Sequence, residues 1–73
     1  MRPNAILILS NIVSNINETY KTNIQLIHRD IQDDFTIKVT DQAMMKVIFN
    51  TLLSLEGHTL NFYMKESDTF VVF

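Results

Sequence analysis

Cysteine is absent from this 73-residue sequence. That excludes a disulfide framework, a thiolate zinc site and dithiol redox chemistry. Glycine and proline occur once each, which leaves little room for linkers and points to a chain held mostly in regular structure. No apolar run approaches the roughly 18 residues that cross a bilayer. Nor is there a block of one charge. Six basic and eight acidic residues are scattered along the chain for a net charge of −2. A mildly acidic, mixed surface argues against strong non-specific binding to nucleic acid or an anionic membrane.

Catalytic signatures are missing too. Ser10, Ser14, Ser54 and Ser67 lie in no glycine-flanked turn that would strain and expose a nucleophile. His28 and His58 are too far apart for a helical pair of metal ligands. Asp30, Asp33 and Asp34 cluster without the glycine and closing glutamate of a calcium loop, so they read as a solvated turn. His28 reads as a core or edge histidine. Only its convergence with Asp30 or Asp33 in a pocket would suggest acid–base work. The expectation is a non-enzymatic protein with no metal and no cofactor.

What is present is hydrophobic patterning, in 47% of the residues. From Pro3 to about Tyr20, Ile6, Leu9, Ile12, Val13, Ile16 and Tyr20 recur at helical spacing. Pro3 suits a first helical turn, where its missing N–H is no loss. Ile24, Leu26 and His28 then alternate with Gln25, Ile27 and Arg29. After a polar turn, Phe35, Ile37 and Val39 alternate with Thr36, Lys38 and Thr40, so the two stretches form a hairpin. Thr40 or Asp41 can cap a second helix striped by Met44, Met45, Ile48, Phe49, Leu52 and Leu55, with Gly57 at its end. A second hairpin follows, with Leu60, Phe62 and Met64 alternating, a turn at Glu66–Asp68, and a return over Thr69–Phe73.

The order α-β-β-α-β-β makes one α+β domain over residues 1–73, built from two similar helix–hairpin halves at about 3–39 and 40–73. Ile24-Gln25-Leu26-Ile27-His28-Arg29-Asp30 matches Leu60-Asn61-Phe62-Tyr63-Met64-Lys65-Glu66 in residue type, and Asp33–Ile37 matches Asp68–Val72. A single hairpin is marginal and each helix must hide one stripe. The economical arrangement is a four-stranded antiparallel sheet with both helices on one face. Its covered face is then Ile24, Leu26, Phe35, Ile37, Val39, Leu60, Phe62, Met64, Phe70 and Val72.

The opposite face collects Gln25, Ile27, Arg29, Thr36, Lys38, Asn61, Tyr63, Lys65, Val71 and Phe73. Clustered apolar residues on an open face suggest a partner. The first expectation is a protein contact, most simply a homodimer, with Ile27, Tyr63, Val71 and Phe73 at its centre and Arg29, Lys38 and Lys65 at its rim. A purely solvated face, its apolar patches covered by long Lys and Arg stems, is the second. Single-stranded nucleic acid, with bases on Tyr63 and Phe73 and phosphates on the three cations, is the third. The layout is similar to that of RNA-recognition-motif domains, but their order is β-α-β-β-α-β and their aromatic signatures are absent here.

Two further resemblances are partial. Met45–Thr59, with Asn50 in a helix, resembles the asparagine-bearing helix of histidine-kinase-type ATPases. Ser54 stands where the second asparagine belongs, and no glycine-rich lid follows, so ATP binding is not expected. The strand–helix–hairpin order of residues 35–73 resembles the double-wing domain of a phage transcription activator in topology, without a diagnostic motif. The composition, rich in Ile and Asn, suits an AT-rich genome. With the small size, it suggests an accessory protein of a phage or mobile element that binds and blocks a host protein. Arg2 followed by Ala5–Leu9 imitates a leader, but Ser10 and Asn11 break the run and no small-x-small site follows. The expected location is the cytoplasm.

Overall fold

A computed structural model describes residues 5–29 and 31–73, so the expectations placed on Pro3 and Asp30 lie outside the described residues. The elements are α1 (Ala5–Tyr20), β1 (Gln25–Arg29), β2 (Asp34–Lys38), α2 (Gln42–Leu55), β3 (Phe62–Glu66) and β4 (Thr69–Val72). The strands form one antiparallel sheet in the order β1-β2-β4-β3. The α+β architecture read from the sequence is the one observed. The hairpins lie side by side through β2 and β4, which leaves β1 and β3 as the edges.

One core joins the layers. Leu9 and Val13 of α1 and Met44, Ile48 and Leu52 of α2 pack on Ile24, Phe35, Ile37, Val39, Leu60, Phe70 and Val72. Helical spacing places the first two groups in stripes, and strand alternation places the third on one face. Phe70 and Val72, both fully buried, sit on β4 in the middle of the sheet. Not every stripe residue is covered. Ile6, Tyr20 and Phe49 are exposed, because each lies at the margin of its helix stripe or beyond the sheet beneath. Met64, expected under the helices, is also exposed at 52%, on the edge strand β3.

Local chemistry sets the boundaries. Asp41 caps α2, its carboxylate accepting from the Ala43 N–H at 3.0 Å. Gly57 follows the helix with φ +83°, a conformation that costs a side-chain-bearing residue more. In the first half Lys21 takes the left-handed position instead, at φ 57°. Asn17 then ties α1 to the sheet. Its Nδ2 donates to the Ile24 carbonyl at 3.0 Å and its Oδ1 accepts from the Ile24 N–H at 2.7 Å. A carboxamide here does what a neighbouring strand's peptide would do.

The hairpins pair alike. His28 faces Phe35 in the first and Met64 faces Phe70 in the second; Ile27 faces Thr36, and Tyr63 faces Val71. These are the positions matched between the two halves of the sequence. The β2–β4 pairing places Thr36 opposite Val71, with Phe35 opposite Val72 and Ile37 opposite Phe70 on either side. An approximate two-fold relation between the hairpins therefore passes through the Thr36–Val71 pair.

A domain this small has about 4–11 kcal/mol of stability in all. Removing the Phe70 ring from the centre of the core costs about 3–5 kcal/mol. Phe70→Ala should therefore lose most of its urea resistance, and a loss below 1 kcal/mol would show that the ring is not central. Asn17→Ala strands the two peptide groups of Ile24 and should cost about 1–3 kcal/mol by the same measurement.

Candidate functional site

The face turned away from the helices is built in rows across the sheet. The central row runs Ile27, Thr36, Val71, Tyr63, one residue from each strand. Ile27 is 47% exposed and Tyr63 50%. Val71 is only 1% exposed. The expectation of Val71 as a contact residue is thus altered. It sits at the centre of the face but is buried, so it underlies the patch rather than offering contact area of its own. Phe73, just beyond β4, is 46% exposed and tilts against Tyr63 with ring centroids 6.0 Å apart. It is fixed by two backbone bonds exchanged with Asn61, at 2.8 and 2.9 Å.

The next row begins with Arg29 opposite Asp34. Asp34 was expected in a solvated turn; it is instead the first residue of β2 and is buried. Arg29 donates to it in fork geometry, Nε to Oδ1 at 2.6 Å and Nη2 to Oδ2 at 2.5 Å. The guanidinium's hydrogen bonds and positive charge hold the Asp34 carboxyl below its usual range, against the opposing effect of burial. Those bonds raise Arg29 in return. Alternation counted back from Thr36 would have placed Asp34 on this face, and the length of the turn decides that Arg29 meets it.

Lys38 is exposed at the opposite end of the face. Lys65 is exposed as well, but a bulge between Met64 and Glu66 interrupts the alternation, so that Glu66 stands opposite Thr69. Of the three cations expected to line the face, one is therefore spent within it, and one sits where the regular face ends.

His28 and Asp33 do approach each other, Nε2 to Oδ1 at 3.6 Å. The imidazole also stacks on Phe35, with centroids 4.5 Å apart. Both polar side chains are exposed beside the β1–β2 turn. Among the described residues, no group of three His, Asp or Glu side chains is placed to hold a metal ion. No described helix is long and apolar enough to cross a membrane.

The chain matches no known family, no curated protein and no solved structure. Geometry must carry the functional reading.

A carboxylate whose native pKa lies below its unfolded value adds stability above the unfolded pKa, and loses it as pH falls through the native one. The Arg29–Asp34 pair should therefore stabilise the fold at pH 7 and stop doing so as pH falls through the lowered native pKa of Asp34. Asp34→Asn should melt lower than the parent at pH 7, with the two curves converging in acid. A constant gap across the titration would show that the pair's charge is irrelevant.

Proposed function

We propose that the protein is a small non-enzymatic interaction module that binds other protein surface, in the first instance a second copy of itself. The observation that carries this reading is the patch in which half-exposed Ile27, Tyr63 and Phe73 surround the buried Val71. Aromatic and aliphatic side chains held rigidly at the centre of a patch, with charge at its margin, are the composition of a binding surface. Tyr63 and Phe73 brace each other, so little side-chain entropy is lost when they are covered.

Single-stranded nucleic acid has less support. Stacking platforms need cations beside them to hold phosphates, and the fork of Arg29 is already bonded to Asp34. The net charge of −2 weakens that reading further.

The size of the surface sets the expected strength. Four strands of about five residues give a face of roughly 19 by 17 Å, or about 300 Å² in projection. A specific interface takes about 800 Å² of accessible surface from each partner, against 4654 Å² for the whole molecule. Self-association should therefore fall in the micromolar range rather than the nanomolar. Sedimentation equilibrium should show a monomer–dimer equilibrium, and Tyr63→Lys should shift it at least tenfold toward monomer. A parent protein that stays monomeric at about 500 μM defeats the proposal.

A further inference from the structure

We infer that the second copy docks on the outer edge of β3, so that two sheets join edge to edge into one. This rests on the self-association proposed above and names its geometry. Asn61 and Phe73 exchange both of their backbone bonds, at 2.8 and 2.9 Å. In an antiparallel pair such positions alternate with positions whose N–H and C=O point the other way. Tyr63 therefore faces β4, and Phe62 and Met64 direct their peptide groups to the outer edge.

The chain already begins to use that edge. Leu60, two residues before Phe62, has the same outward direction. Its carbonyl accepts from the Gly57 N–H at 3.0 Å, its N–H points to the Leu55 carbonyl at 3.5 Å, and Glu56 forms a parallel bridge with it. The segment after α2 thus occupies the first step of the edge and stops there. Phe62 and Met64 form the next two steps.

Side chains favour an apolar strand at those steps. On the helix side, Phe62 meets Phe49 edge-on with centroids 5.7 Å apart, and Phe49, Leu53 and Met64 are exposed. On the open side stand Tyr63 and Phe73. Phe62-Tyr63-Met64 is itself apolar on both faces, which is the kind of strand this edge accepts. An antiparallel pairing about a two-fold axis at Tyr63 sets Phe62 beside the partner's Met64, Tyr63 beside the partner's Tyr63, and Lys65 beside the partner's Asn61. No like charges meet in that register.

The other edge is less suited. α1 approaches β1, and Gln25, His28 and Arg29 make that strand more polar than Phe62-Tyr63-Met64. With one receptive edge per chain, the contact is isologous and closes at two copies. The bulge after Met64 ends the regular ladder and keeps the pairing short.

Met64 provides a direct test, because its N–H takes no part in the β3–β4 ladder. Met64→Pro removes an outward donor and blocks a docking strand while sparing the internal bonds. Ile27→Lys, at the far side of the open face, is its counterpart. Circular dichroism first establishes that each variant is folded. Sedimentation should then show the dissociation constant of Met64→Pro raised at least tenfold and that of Ile27→Lys, at the margin of the open-face patch, raised several-fold less. The reverse pattern would leave self-association standing through the open face and overturn edge docking. A monomeric parent overturns both. Should Met64→Pro fail to fold, amide exchange in the unaltered protein decides the matter. The Phe62 and Met64 amides should become at least tenfold more protected from dilute to millimolar protein, and exchange independent of concentration in a protein that dimerises would overturn the inference.

Discussion

The antiparallel pairing of β2 with β4 is the constraint from which the surface of this protein follows. It joins two hairpins about the Thr36–Val71 pair and places Phe35, Ile37, Phe70 and Val72 on one side. Two helices are enough to cover that side and no more. Because successive side chains of a strand point in opposite directions, Ile27, Tyr63 and the neighbours of Val71 are committed to the other side by the same register that buries Phe70. A shift of one residue would exchange the two sets. Burial of the core thus determines which apolar residues remain outside.

Shortage of material shapes the rest. The domain has no disulfide and a single layer of core between helices and sheet. Its edges are secured locally instead, where each helix hands the chain to an edge strand. Asn17 satisfies both peptide groups of Ile24, and the turn at Gly57 does the same for Leu60. The two halves reach one outcome by different chemistry, a side chain in one and backbone in the other. Such bonds matter because a buried peptide group without a partner costs as much as a lost core methylene or more.

The periods of the sequence were enough to read the elements, the side on which the strand residues lie outside the bulge at Lys65, and most of the core. They failed where an outcome depends on a partner across the sheet. Asp34 looks like a turn residue beside Asp33, and only the turn length places it opposite Arg29. Val71 carries the pattern of an exposed residue, yet it is buried in the central row between Thr36 and Tyr63. The bulge at Lys65 precedes a two-residue turn, and no period announces it. Met64 and Phe49 have correct core spacing yet lie at the side of the molecule, where the sheet or the helix above has ended. Sequence periodicity reports direction. It does not report how far the covering layer extends.

That distinction bears on how a small sheet protein can hold a sticky edge without aggregating. An edge strand apolar on both faces is a hazard when it is long, flat and repeated at both sides of the sheet. Here it is short on one side, since the segment after α2 takes its first step and the bulge with Lys65 and Glu66 ends it. On the opposite side α1 approaches β1, and three of that strand's five residues are polar. Pairing restricted to one short edge has a finite product, because two copies exhaust it. The features that make the Phe62–Met64 segment receptive and those that keep it small are therefore complementary, and association need not propagate beyond the pair.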